Sequence, residues 1–237
     1  MSTLIIGDIH GRSSWKHIIA KHPDVKRVVF VGDYFDNHEI HHTEQVKNFK
    51  EIIALKLKHD IEVILLIGNH DHQYFTDVIL ENISRFQNAS SQAFIAALAE
   101  HRSYLQMAFQ FHGDILVTHA GVGQTFLRKW IGKEIDVQKI GENINTLFLN
   151  NPLAFKFNGV DRTGDDITNT PIWIRPKSLM LNTQALNKYI IQIVGHTRMD
   201  KVKNESDCYY FIDTLSSSCE YLLVSDTGKI NIQSFHN

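Results

Sequence analysis

The sequence predicts a mixed α/β fold (α/β with an α+β-like antiparallel end) built on a sheet that is buried on both faces and at least partly parallel. Residues 3–68 alternate short apolar runs with helix-patterned stretches, the order of strands joined by crossover helices. The apolar runs are continuous, as in strands covered on both sides. Each run also stops on glycine and polar residues, in "GDIHG", "GDYFD" and "GNHD". Ligands of such sheets bind beyond the carboxyl ends of the strands.

The elements follow in order. "TLIIGD" (3–8) is a first strand, and "SSWKHIIAKH" (13–22) offers a serine cap and apolar residues at helical spacing. "RVVFVGD" (27–33) is a second strand, rich in β-branched residues. Residues 43–58 place Val46, Phe49, Ile52, Ile53 and Leu57 on one helical face. "IEVILLIG" (61–68) is a third strand. Residues 77–108 read as helical, most strongly in "SSQAFIAALAEHRSYLQMA", and "FQFHGDILVTHAG" (109–121) reads as a hairpin turning near His112–Asp114. Residues 122–150 are helical again and 151–170 form a polar loop. The helical stretches 77–108 and 122–150 either close over the strand ends or flank the sheet. After "YIIQIVGHT" (189–197), the segments "CYYFIDT", "EYLLVSD" and "KINIQSF" predict an antiparallel meander. No repeat, biased tract or linker interrupts residues 1–237, which read as a single domain.

Composition narrows the function classes. Hydrophobic residues make up 43 %, charged residues 21 % and aromatics 10 % of the 237 residues, the profile of a soluble globular protein. The formal net charge of -2 gives no electrostatic case for a nucleic-acid or membrane-surface partner. The apolar runs are too short to span a bilayer. Cys208 and Cys219 have no C-x-x-C spacing and read as reduced. With no leader pattern ahead of Thr3, a cytoplasmic location is expected. The 14 histidines favour a metal or acid–base site.

Five segments end in potential metal ligands: Asp8 and His10, Asp33, Asn69 and His70, His119, and His196. Gly7, Gly32, Gly68 and Gly195 stand beside four of these ends, where glycine permits sharp turns and close backbone approach. Singly, each polar residue reads as a turn residue or a half-buried histidine. Together, on one rim of one sheet, they read as a metal cluster. Carboxylates, imidazoles and one carboxamide, without thiolate, suit manganese, iron or zinc, and they are too many for one tetrahedral zinc. Two metals sharing a carboxylate fit the count, with Asp33 as the natural bridge. Such a pair activates a bridging water and clamps phosphoryl oxygens. His70 can face the site without being a ligand, as the group that protonates the leaving oxygen, with Asp36 as its partner.

In their order, "GDIHG", "GDYFD", "GNHD", "VTHAG" and "VGHT" resemble the calcineurin-like metallophosphoesterases, nearest the phosphoprotein phosphatase branch and its lambda-type bacterial and phage serine/threonine phosphatases. The resemblance runs from Asp8 to the last strands. It implies a four-layer fold, with a central β-sandwich of two mixed sheets flanked by helices. It also implies a first metal on Asp8, His10 and Asp33, and a second on Asp33, Asn69, His119 and His196. His70 would be the general acid, with Asp36 as its partner. "PIWIRP" resembles the family's Trp-x-Arg segment, which makes Arg175 a phosphate-binding residue. The implied cofactors are two divalent ions, manganese first, with iron or zinc as alternatives.

Two departures from the family pattern bear on substrate. Asn37 stands where "GDxVDRG" has arginine, so one of two phosphate-gripping arginines is missing or replaced. "GHTR" lacks the second histidine of the phosphodiesterase-like "GHxH". The expected activity is hydrolysis of phosphomonoesters, including phosphoserine or phosphothreonine in proteins, by a metal-bound hydroxide. A hydrolase of dinucleoside polyphosphates is the alternative, and a non-catalytic metal-binding scaffold is a third reading. "NHEIHH" (37–42) reads as a solvated loop, with substrate contact by His38, His41 or His42 as the other option. Asp71 reads as structural, His72 as a supporting or surface residue, and Arg12 as a surface ion-pairing residue, with a phosphate contact at the helix start as the other option.

Overall fold

The computed structural model describes residues 1–75, 86–161, 165–183, 186 and 188–235. The chain opens with β1 (Thr3–Ile6), α1 (Ser14–Ala20), β2 (Arg27–Phe30), α2 (His42–Leu57), β3 (Glu62–Leu66) and the single turn α3 (Asn69–His72). It continues through α4 (Ser91–His101), β4 (Leu105–Gln106), β5 (Ala108–Phe111), β6 (Ile115–Thr118), α5 (Gln124–Trp130) and α6 (Ile140–Asn150). Then come α7 (Pro176–Leu181), β7 (Ile191–Arg198), β8 (Lys203–Glu205), β9 (Tyr209–Asp213), β10 (Glu220–Val224) and β11 (Ile230–Ser234). Among the described residues no helix is long and apolar enough to cross a membrane.

Two mixed sheets result, in the orders β11-β10-β1-β2-β3-β4 and β5-β6-β7-β9-β8. β1, β2, β3 and β4 run parallel, with Ile6 beside Phe30, Phe30 beside Leu65, and Leu65 beside Leu105. β6, β7 and β9 are parallel in the second sheet.

Side-chain alternation explains the layers. Leu4, Ile6, Val28, Phe30, Val63 and Leu65 point to one core, shared with Phe49 and Ile52 of α2 and Phe94 of α4. Their neighbours Ile5, Val29, Ile64 and Leu66 point the other way and meet Val117, Ile193 and Ile212 of the second sheet. Beyond that sheet, Val194, Tyr209 and Phe211 pack on Leu179 of α7. This is the expected sandwich of two mixed sheets flanked by helices. α4 seats Phe94 in a stack on Phe35 with ring centroids 4.5 Å apart, and Gly141 at the start of α6 lies against Gln110 of β5. The described parts of 77–108 and 122–150 therefore flank the sheets.

Four sequence expectations change. In α2 the inward stripe runs through Phe49, Ile52 and Ile53 to Leu55, while Leu57 is 47 % exposed. The helix expected over 77–108 ends at His101, because Leu105 and Gln106 pair with Leu65 and Leu66 as an edge strand. Residues 76–85 of that stretch lie outside the described residues. The loop expected over 151–170 contains a 3-10 turn at Pro152–Phe155. The closing meander is split between sheets: β9 joins β7 and β8, and only β10 and β11 form a hairpin, on β1.

Replacing Leu66, fully buried between the sheets, by alanine should cost about 2–5 kcal/mol. Leu57→Ala should stay within about 0.5 kcal/mol of wild type. Urea unfolding of both variants checks this pair, and equal losses would contradict the layer assignment.

Candidate metal centre

Every potential ligand lies just past, or in β7 within the last residues of, a parallel strand. The loop after β1 is zipped to the loop after β2, with His10 N donating to Asp33 O (2.6 Å) and Gly11 N to Tyr34 O (2.9 Å). Asp33 Oδ1 accepts from His70 N (2.9 Å), linking the loops after β2 and β3. Across the sandwich, Asp8 accepts from His196 N at 3.1 and 3.0 Å.

These turns require special backbone. His10, Asp33, Asp36 and His196 have φ of 41°, 52°, 66° and 64°, a left-handed region that costs a non-glycine residue about 1–3 kcal/mol. Glycine supplies the space beside them. A Cβ on Gly68 would lie 2.0 Å from Asp33 Oδ1, and one on Gly195 would lie 1.9 Å from Asp8 Oδ1.

The result is a compact donor set. Asp8, Asp33 and His119 place one donor atom each within 4.8 Å of one another, as do His10, Asp33 and His70. Asp33 belongs to both groups. Asn69 Oδ1 sits between His119 Nε2 (3.0 Å) and His196 Nδ1 (2.8 Å). All nine residues singled out from the sequence are in or beside this cluster.

The imidazoles test whether metal fits. One ring nitrogen of each of three histidines meets a backbone carbonyl: His10 Nδ1 at Phe35 O (2.6 Å), His119 Nδ1 at Val31 O (2.9 Å) and His196 Nε2 at Trp173 O (3.1 Å). A carbonyl only accepts, so that nitrogen holds a proton, and once the ring is neutral its lone pair lies on the other nitrogen, as in metal-ligating histidines. His70 differs, because its Nδ1 meets the Asp36 carboxylate at 2.9 Å. Asp36 is itself fixed by Gln73 Nε2 (2.7 Å) and the Tyr74 hydroxyl.

The electrostatics ask for cations. Burial, reinforced by Asp213 and only partly offset by His119, pushes the Asp8 carboxyl well above its ordinary range. Burial acts the same way on Asp33, but His119 and His70 outweigh it and hold that carboxyl far below. Burial would strip His119 of its charge, yet Asp33 and Asp8 outweigh it and raise the imidazolium to about 10. Burial, with help from His70, lowers His10 to about 4, and burial with Arg175 and His119 takes His196 well below the usual value. His70 is raised, as Asp33 and Asp36 overcome its burial. Buried carboxylates crowded in this way need compensating charge, and the donor set fits two divalent cations.

Arg175 is held by its Nη1, which donates to His196 O (3.2 Å) and Thr197 Oγ1 (3.1 Å). A cavity of about 240 Å³ is lined by Asp33, Asn69, His70, Arg175, His196 and Asp213. Asp213 was not singled out from the sequence, though "YYFID" is another apolar strand ending on a carboxylate. Burial and the neighbouring Asp33 raise Asp213 to about 6. Arg198 and Ser216 also reach this cavity.

Arg12 is a correction. Among the described residues its guanidinium has no ion-pair partner within 4 Å, and it lines the cavity. His72 is buried and meets Pro152 O (3.0 Å), so it is no surface residue. Asp71 is structural, accepting from the N–H groups of Asp33 (2.7 Å), Tyr34 (2.8 Å) and Gly68 (3.0 Å).

Strand-end carboxylates and imidazoles around a shared aspartate, on a helix-flanked sandwich, define a metal-dependent phosphoesterase. A model of the calcineurin-like phosphoesterase family matches residues 1–211, and the chain belongs to that family. It is a hydrolase of phosphoric esters. Among solved structures the fold is similar to a cold-active protein-tyrosine phosphatase of the psychrophile Shewanella sp. (TM-score 0.64, 16 % identity, covering 99 % of this chain and 78 % of that one). It is also similar to a protein serine/threonine phosphatase from Saccharomyces cerevisiae with similarity to human phosphatase PP5 (TM-score 0.58, 14 % identity, covering 99 % and 79 %). A metallophosphoesterase from Sphaerobacter thermophilus superposes with TM-score 0.53 at 15 % identity, covering 99 % and 88 %. No curated protein sequence matches the chain significantly.

Metal binding must expel the extra proton of His119 and any proton on Asp8. Affinity for manganese should therefore rise as pH increases from 6 to 9, with protons released. Calorimetry of stripped protein in buffers of different ionisation heat measures both, and a flat profile would contradict it. Gly195→Ala should weaken manganese binding at least tenfold, because its methyl group displaces the Asp8 carboxylate.

Proposed function

We propose that the protein hydrolyses phosphomonoesters at a dinuclear centre, with residues 1–237 acting as one domain. The observation that carries this reading is the sharing of Asp33 by both donor groups, beside a histidine held by a carboxylate. Asp8, His10 and Asp33 would hold one ion, and Asp33, Asn69, His119 and His196 the other. The nearness of Asp8 to His119 in one donor group supports Asp8 facing both ions. Two cations held there would supply an activated water and neutralise phosphoryl oxygens.

The remaining work belongs to the chain. Arg175 grips the phosphoryl group from the wall of the cavity, braced through His196 O and Thr197. His70 donates a proton to the leaving oxygen. Its bond to Asp36 orients the ring, and Asp33 and Asp36 together favour its protonated form over the pull of burial. After release of the product alcohol, water returns the proton.

Oxygen and imidazole donors without thiolate support manganese as the working ion, with iron or zinc as substitutes. Cys208 and Cys219, which form no disulfide with each other, support a cytoplasmic setting. The substrate is a phosphorylated small molecule or protein.

The test uses protein stripped of metal, reloaded with manganese and assayed on p-nitrophenyl phosphate beside bis-p-nitrophenyl phosphate. Turnover of the monoester above the diester is expected, and the reverse order would overturn the monoesterase reading. His70→Asn should lower kcat by roughly 10²–10⁴-fold with metal content retained. Asp33→Asn should lose activity and metal together, and an Asp33→Asn enzyme of full activity would refute the shared-ligand assignment.

A further inference from the structure

A second cavity of about 620 Å³ adjoins the metal cavity, and His10, Arg12, Arg198 and Ser216 stand in the walls of both. Its size is within the range of small-molecule sites. Two arginines thus mark the neck between the chambers.

Both are placed by rigid backbone. Arg12 follows Gly11, which has a φ of 70°, and its carbonyl accepts from Asn48 Nδ2 (3.1 Å). Asn48 is in turn held by Trp15 Nε1 (2.9 Å). Arg198 closes β7 in register with Asp213 of β9. The two guanidiniums are close enough to repel each other, while Asp213, Asp8 and Glu39 attract Arg12.

Among the described residues neither guanidinium makes a hydrogen bond or an ion pair within 4 Å. Two guanidiniums, with five N–H donors each, therefore line both cavities without an acceptor among the described residues. Arginine forks of this kind match phosphate and carboxylate.

Asn37, which lines the outer chamber, is held by local bonds. Its Nδ2 donates to His10 O (2.9 Å), its Oδ1 accepts from Glu39 N (2.9 Å), and its N–H donates to Gln45 Oε1 (3.1 Å). These bonds brace the His10 loop. His38 is exposed at the outer wall, whereas His41 is turned to Thr43 (2.8 Å) at the start of α2.

We propose that Arg12 and Arg198 form an anion subsite for the leaving group, so that the preferred substrate is a small phosphate ester carrying a second phosphate. This rests on the phosphomonoesterase reading and names its substrate class. The scissile phosphate occupies the metal cavity, and the second phosphate sits in the neck with the rest of the leaving group in the outer chamber. Asp36 and Glu39, also on that chamber, disfavour an anion deeper in, which places the second phosphate at the arginines.

The test compares glucose 1,6-bisphosphate with glucose 6-phosphate on manganese-loaded enzyme, with free manganese held constant. Wild type should favour the bisphosphate at least tenfold in kcat/KM, mainly through KM. The double variant Arg12→Gln/Arg198→Gln, with folding checked by circular dichroism, should bring that ratio to within about twofold of unity. Arg12→Lys should restore part of the preference. Equal use of both sugars by wild type, or a preference that survives in the double variant, would overturn the subsite. A preference for acidic over neutral phosphoserine peptides, with none between the sugars, would overturn the small-molecule assignment. p-Nitrophenyl phosphate separates the two readings. If it is not turned over, the phosphatase reading fails, and calorimetric Kd ratios for the same two sugars still decide the subsite.

Discussion

The carboxylate of Asp71 is the point from which the site is built. It is fully buried and collects the N–H groups of Asp33, Tyr34 and Gly68, where β2 and β3 stop pairing and their loops part. Those three donors would otherwise be buried without acceptors, at a cost of roughly 1–3 kcal/mol each. Burial and the nearby Asp33 push the Asp71 carboxyl up to about 7, against the pull of the Gly68 and Tyr34 N–H bonds. One side chain thus fixes the backbone of the shared ligand and the start of the Asn69–His70 turn.

From that anchor the cluster grows by backbone contact more than by side-chain choice. Asp33 returns the tie by accepting from His70 N, and Asp8 accepts from His196 N across the sandwich. Three imidazoles are locked by carbonyls of Phe35, Val31 and Trp173, so their metal-facing nitrogens are set by the fold. Four site residues hold left-handed backbone, which is strain kept in place by the two packed sheets.

The chemistry divides along the same lines. His10, His119 and His196 each keep one ring nitrogen on a backbone carbonyl, whereas His70 keeps its Nδ1 on the Asp36 carboxylate. Arg175 lines the cavity from the start of α7, while Arg12 lines it from the loop between β1 and α1 and Arg198 from the end of β7. A Shewanella tyrosine phosphatase and a yeast serine/threonine phosphatase share this fold at identities too low to carry substrate choice. The walls around the metal cavity must therefore carry it.

The sequence by itself determined the three opening strands, their crossover helices and the donor residues, because apolar runs and strand-end polar residues are local patterns. It also marked the glycines at 68 and 195, whose missing Cβ atoms leave room for Asp33 and Asp8. Only the tertiary structure decided that β9 joins β7 while β10 returns to β1, since short alternating strands carry no label for their partners. That choice brought Asp213 into the cavity and set Arg198 beside it. The fate of Asn37 was equally illegible. Only the fold shows that its side chain is tied to the carbonyl of His10 and the N–H of Glu39. Arg12 shows the same limit from the other side. Its neighbours in sequence suggest a solvated helix start, whereas in the fold Asn48 holds its carbonyl and it lines the cavity beside Asp33 and His70.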